Sequence, residues 1–470
     1  MSVDLALSLA LQTIAVAVVF TTVRHRRLGY LGVLLLSALV LFHGIGEVLQ
    51  RLFPAFATYR TLVDRVDIDR FLPYIGAAIL AYGLAYALTM KRKPVTAPIT
   101  QGRLPTQGWW PSWKLAFVGS APLWLVAAGV ATLEGTGTRY WGGGIASQFL
   151  VLASGLTAIL YVSQSKGFHL LFAILLQSLA LSLLGERSNV IAAGLMVLWG
   201  LTLIGYRLRW RTLLGLLGVL TMFAIVIVAA RADVGRQAFT QGQATTRVSG
   251  LGDGISALLE GRARDIRSEL VYRIDGNVWP AMVLERQAYT PLAPPEGLVF
   301  DLLLAVPQAF NPRKLDAPLT QRNEEYYFDV HYGIPTTVSL NTRSGVDWLP
   351  TLFGSALAYG GPLGMILFAA FAGYLLALVD LRLHERLSFT SLLVGLGVVS
   401  IVVSYEVGFD GVAITARGVF VIWLVVKVAT AIRQRGGRDL VGASFHLVEP
   451  ASSPTDGSPA NLSAGARAGP

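Results

Sequence analysis

The sequence predicts an all-α polytopic integral membrane protein of about 11 transmembrane helices with one large extracytoplasmic loop. Three observations carry this. Of 470 residues, 54% are hydrophobic and only 14% charged, whereas soluble domains carry about 25% charged residues. About eleven apolar stretches reach the roughly 20 residues that cross a bilayer as a helix. The basic residues are concentrated in alternate connections. Together these exclude an ordinary soluble enzyme, a disordered chain and a coiled coil.

The spans are expected near 4–23, 28–49, 71–90, 115–133, 145–164, 168–185, 189–206, 212–230, 355–379, 388–405 and 412–432. The first span starts at Asp4 without a basic segment before it, so no cleavable leader is expected. One set of connections holds 19 of the 38 Lys and Arg, among them Arg24, Arg26 and Arg27, Lys91 to Lys93, and Arg207, Arg209 and Arg211, with only five acidic residues. The remaining 19 basic and 23 acidic residues lie elsewhere. The positive-inside rule makes the basic set cytoplasmic, which puts the N-terminus and residues 231–349 outside and the C-terminus inside. The net charge of +10 is thus a topology signal. No soluble segment interleaves a basic patch with aromatics, so nucleic acid is not an expected partner.

Four parts follow: transmembrane helices 1–8 over residues 1–230, the loop 231–349, transmembrane helices 9–11 over 350–438, and a Ser/Ala/Gly/Pro-rich cytoplasmic tail, 439–470, expected to be disordered. Zero cysteines exclude disulfides, thiolate metal sites and a cysteine nucleophile. The loop is the one soluble segment large enough for a site, and loops of this length are usually functional. Within it, Ile255, Leu258, Leu259, Ile266, Leu270, Ile274, Val278 and Met282 recur at three- and four-residue spacing, which predicts amphipathic helices lying against the membrane face. Tyr326, Tyr327, Phe328 and Tyr332 suit either a sugar-stacking wall or an aromatic belt at the interface.

The run from Leu304 to Pro318, LAVPQAFNPRKLDAP, resembles the extracytoplasmic PR-x-x-W-P-x-K-P region of the O-antigen polymerases, the oligosaccharide repeat unit polymerases called Wzy. Arg273 in Val271-Tyr272-Arg273-Ile274-Asp275, the Gly-rich Tyr359-Gly360-Gly361-Pro362-Leu363-Gly364, and Gly185-Glu186-Arg187 are similar to further family features. Gln308 stands in place of the family's arginine and Asn311 in place of its tryptophan, so Arg313 and Lys314 take the anion-binding role by proximity. The resemblance implies a glycosyltransferase-C-like architecture. The implied activity is polymerisation of lipid-linked repeat units on the outer face of the cytoplasmic membrane, without a cofactor or metal. Donor and acceptor would be polyprenyl-diphosphate-linked glycans, and a flippase and a chain-length regulator of the same pathway would be partners. A diphosphate leaving group gathers negative charge as the glycosidic bond breaks, and guanidinium forks are suited to hold it.

The catalytic candidates are Arg313, Lys314, Arg273, Arg187 and His331, and the substrate-binding candidates are Arg322, Arg343, Arg417, Tyr326 and Tyr327. Arg187, Arg273, Arg417 and His331 each have a plainer reading. Glu186 suits a pair with Arg187. Glu269 lies four residues before Arg273, a helical ion-pair spacing worth only about 0.2–0.5 kcal/mol. Glu406 or Asp410 suits Arg417, which lies inside the last span. His331, the loop's one histidine, is a base toward the acceptor hydroxyl or a structural residue, and Glu324, Glu325 and Asp329 compete for that role. Asp67 and Asp69 resemble the metal-binding acidic motif of other lipid-linked glycosyltransferases, although Arg65 and Arg70 beside them suit an ion-pair cluster. An O-antigen ligase-like transferase is an alternative, short of the histidine-rich segment ligases carry. A lipid or polysaccharide transporter is another, short of the internal repeats and midplane charges transporters show.

Overall fold

The computed structural model describes residues 2–23, 30–54, 66–92, 111–120, 143–164, 187–206, 244–260, 274–288, 351–385 and 387–403, with shorter pieces within 214–229, 292–306 and 405–428. The described residues form helices, turns and bends, with no strand among them. In order these are α1 (Val3–Thr22), α2 (Leu31–Val40), a π-helical turn (Leu41–Ile45), α3 (Gly46–Leu52), α4 (Ile68–Arg92), α5 (Gly143–Gln164), α6 (Arg187–Leu203), α7 (Ala244–Leu259), α8 (Val278–Arg286), α9 (Leu352–Glu385) and α10 (Phe389–Val403). Among the described residues, four stretches are long and apolar enough to cross a membrane: α1, the continuous α2–π–α3, α4 and α9. They coincide with the first, second, third and ninth expected spans. Shorter apolar helical stretches lie in α5, α6 and α10. The chain divides into two compact units, Met1–Trp423 and Leu424–Pro470. Of the second, only Leu424, Lys427 and Val428 are described, and all three are exposed.

Small residues decide how the first unit packs. On α1, Leu5, Ser8, Gln12, Ala15 and Val19 are buried, a 3-4-3-4 spacing that lines one seam. This seam meets glycines of α4: a Cβ at Gly76 would lie 2.9 Å from Ser8 Cα, and one at Gly83 3.0 Å from Ala15 Cβ. In hydrocarbon, close backbone approach through small residues replaces the hydrophobic drive that helices have in water. The other flank of α4 is met by α9, where a Cβ at Gly373 would lie 2.4 Å from the carbonyl oxygen of Tyr82. Away from α4, α9 exposes Leu363, Leu367, Phe371, Tyr374 and Leu378. An exposed apolar stripe of this length is a surface for lipid, not water.

Contacts at the helix ends give the directions. Ser2 and Asp69, at the starts of α1 and α4, are hydrogen-bonded at 3.0 Å. At the opposite end Asp380 of α9 meets the start of α2 and Tyr86 of α4. Helices α1, α4 and α9 therefore run one way and α2–α3 the other. Gly155 approaches Met196 and Gly200 approaches Ile159, so α5 and α6 also run parallel.

The Asp380 end is a cap supplied from another helix. Asp380 is fully buried; Oδ1 accepts from Leu31 N at 2.8 Å, while Oδ2 accepts from Gly32 N at 3.0 Å and from the Tyr86 hydroxyl at 2.7 Å. The first amides of a helix have no partner in their own helix, and a carboxylate there also faces the positive end of the dipole. Asp380→Ala would strand two buried amides and a hydroxyl, each costing about 1–3 kcal/mol. We expect thermal unfolding of the purified protein in detergent to show a loss of at least about 3 kcal/mol; an unchanged melting temperature would show that the carboxylate caps nothing.

Candidate functional site

The second expected span is described as apolar by its average, yet its interior carries His43-Gly44-Ile45-Gly46-Glu47. His43 lies in the π-helical turn and Glu47 one turn on, in α3. Both are wholly buried. Ionisable groups at such positions are costly and mark function by default, and π turns recur at functional sites for the same reason.

The two glycines explain why neighbours reach this turn. A Cβ at Gly44 would lie 2.4 Å from Gln12 Oε1, and one at Gly46 2.0 Å from the carbonyl oxygen of Ile274. Glycine at 46 thus lets the segment 274–277, which belongs to the expected loop, lie directly on the span. That segment brings Asn277, also wholly buried. Asn277 Nδ2 donates to the His43 carbonyl at 3.1 Å and to Glu47 Oε2 at 3.0 Å, and its Oδ1 lies 2.7 Å from His43 Nδ1. Because the amide nitrogen faces two acceptors, Oδ1 is the acceptor, and the network assigns the histidine proton to Nδ1. Nε2, 2.7 Å from the Tyr405 hydroxyl, then accepts from it in the neutral imidazole. The Tyr405 ring stands edge-on to those of His43 and Phe353, each 5.8 Å away.

Toward the end of the bundle the network becomes ionic. Glu47 Oε1 accepts from Arg51 Nε at 2.7 Å. Arg51 also pairs with Asp69 and donates to Ser2 Oγ. A continuous hydrogen-bonded chain thus runs from buried Tyr405 through His43, Asn277, Glu47 and Arg51 to Asp69, whose side chain is 36% exposed. Beside it, buried Asp275 accepts from Asn277 N at 3.2 Å. Both His43 ring nitrogens are engaged, so this histidine organises the site and does not present a free base to a substrate.

The sequence-derived candidates divide plainly. Arg273, Arg313, Lys314, Arg322, Tyr326, Tyr327, His331 and Arg343 lie outside the described residues. Arg187 is the first residue of α6. Arg417 is helical and half-buried, and its Nε has no hydrogen-bond partner among the described residues; Glu406 and Asp410 lie outside them. Asp69 is paired with Arg51, and Asp67 accepts from Arg70 N at 3.3 Å. Among the described residues no group of three metal-ligating side chains occurs. The segment Ile274–Arg286, expected to lie on the membrane face, is instead packed into the bundle, with Val278, Trp279, Ala281, Met282 and Val283 buried.

No family model, curated protein or solved structure matches the chain.

Proposed function

We infer that this protein polymerises polyprenyl-diphosphate-linked oligosaccharide repeat units into surface polysaccharide, by glycosyl transfer at the outer face of the cytoplasmic membrane. The observation that carries the reading is the entry of residues 274–277, from the one long hydrophilic loop, into a buried polar network between membrane helices. Arg273 is the preceding residue in the chain. In this reading the network fixes the segment that follows Arg273, while Arg313 and Lys314, with Arg187, hold the diphosphate. The acceptor hydroxyl oxygen bonds to the anomeric carbon as the bond from that carbon to the diphosphate oxygen breaks; polyprenyl diphosphate leaves with its charge taken up by the guanidinium groups, and His331 or a neighbouring carboxylate accepts the hydroxyl's proton. Such a protein is multi-pass in the inner membrane with its large loop outside and its C-terminus inside, and it meets a flippase and a chain-length regulator.

Deletion of the gene is expected to leave surface polysaccharide as single repeat units, and Arg313→Ala to do the same with the protein still expressed. Chain lengths equal to the parent strain's on a denaturing gel would contradict the reading.

One observation favours a second reading. A chain of ionisable groups buried among apolar helices is a feature of proton-coupled transporters, and Glu47, His43 and Arg51 form one. Purified protein that lengthens lipid-linked glycan in detergent, with no second compartment, would support the polymerase; substrate movement into vesicles without glycan growth would support transport.

A further inference from the structure

Two helices of the bundle are interrupted, and residues 274–288 supply hydrogen-bond donors at both interruptions. In a π turn the ladder of bonds shifts by one residue, which leaves carbonyls out of register. Here the Phe42 carbonyl accepts from Gly276 N at 3.2 Å and the His43 carbonyl from Asn277 Nδ2 at 3.1 Å. The second interruption is in α9. Gly361 has φ 63° and ψ −170°, and Pro362 follows it; proline has no N–H and breaks the i to i−4 ladder. In an unbroken helix residues 361 and 362 would donate to the carbonyls of Leu357 and Ala358. These are the two carbonyls that Gln287 Nε2 reaches, at 2.7 and 3.4 Å. Pro362 has no donor to give, and one side-chain amide reaches both carbonyls.

The same segment is bound to the first part of α9 by packing. Pro280 sits against Gly354, where a Cβ would come within 3.0 Å of the proline ring. The remainder of α9 is fixed elsewhere, to α4 through Gly373 and to α2 through Asp380. Gly361 thus separates a part that packs on α8, Tyr405 and Phe409 from a part packed on α4 and α2.

We propose that α8 and residues 352–360 form a re-entrant pair hinged at Gly361, held closed over His43 and Glu47 by Asn277 and kept together by Gln287. Opening at the hinge withdraws Asn277 and bares the two buried ionisable groups. The inference stands independently of the glycosyl-transfer reading.

The chain has no cysteine, so a single introduced thiol reports one place. Ala281, on α8, is 2% exposed, and Ala193, on α6, is 6% exposed. In the full-length protein in detergent, Ala281→Cys should react slowly with a water-soluble thiol reagent. Adding Gln287→Ala should raise that rate on the order of tenfold, the loss of a hydrogen bond with its acceptors left buried. Ala193→Cys should not change in any background. The proposal is overturned if Gln287→Ala leaves the Ala281→Cys rate unchanged or if both probes rise together. Gln287→Met keeps the side-chain length and loses only the donor, and it is read in the same way should the alanine variant not fold.

Discussion

Replacing Glu47 by alanine is expected to cost about 3–5 kcal/mol of folding stability, the range found when one partner of a buried ion pair is removed. Glu47 is wholly buried. Its two oxygens accept from Arg51 Nε and Asn277 Nδ2. Arg51 retains Asp69 and Ser2, but its Nε–H would be left without an acceptor, as would one Asn277 proton. Glu47→Gln preserves volume and one acceptor oxygen, so it should cost less, about 1–3 kcal/mol. Chemical unfolding of both variants in detergent measures the difference. Two variants within about 0.5 kcal/mol of the parent would mean that the carboxylate lies outside the network. In cells, both variants should shorten the polysaccharide if the proposed activity holds, since each alters the mooring of the segment after Arg273.

A methyl group at position 46 should be nearly as damaging. The Cβ of Gly46→Ala would lie 2.0 Å from the Ile274 carbonyl oxygen, 3.0 Å from its carbon and 3.2 Å from the Leu41 oxygen. All three are backbone atoms, so no side chain can rotate to make room. Overpacking ordinarily costs about 1–3 kcal/mol, and here the segment has to leave the π turn, which also forfeits the bonds of Gly276 and Asn277. Gly252→Ala in α7 is the contrasting case. Nothing lies within 4 Å of its added Cβ, and alanine in a helix interior is favoured over glycine by about 0.5–1 kcal/mol. Melting temperatures of the two variants should therefore move in opposite directions; a Gly46→Ala protein as stable as Gly252→Ala would contradict the docking.

The long apolar runs were legible because a membrane helix is a local property of composition and length. Spans expected at 4–23, 71–90 and 355–379 correspond to α1, α4 and α9 within a few residues, apart from α9's continuation to Glu385. What the pattern could not convey is which polar residues inside or beside those runs face a partner helix. His43 and Glu47 were absorbed by the hydropathy of the span around them, and Asp380 reads as a cytoplasmic acid one residue past the expected helix end. Their burial depends on neighbours hundreds of positions away, Asn277 and Tyr405 for His43, and Leu31 and Gly32 for Asp380. A usable signal was present: a histidine and a glutamate four residues apart within one apolar span, interleaved with glycines, and an arginine a further four residues on. The three- and four-residue apolar spacing of 274–282 was likewise read as a surface helix. A short helix buried on several sides carries the same pattern, because only the charged residues at its ends distinguish the two.

If segment 274–288 enters the helix bundle, a designed cross-link will capture it there. A Cβ at position 354 would lie 3.6 Å from the Cβ of Pro280, within the separation of about 3.5–4.5 Å that a disulfide requires. With no other cysteine in the chain, the double variant Pro280→Cys, Gly354→Cys can form a single intramolecular bridge. Under mild oxidation of the full-length protein in membranes, mass spectrometry should recover the two tryptic peptides joined in most molecules. Recovery of both peptides with free thiols, from protein that is otherwise folded, would place the segment outside the bundle and contradict the account.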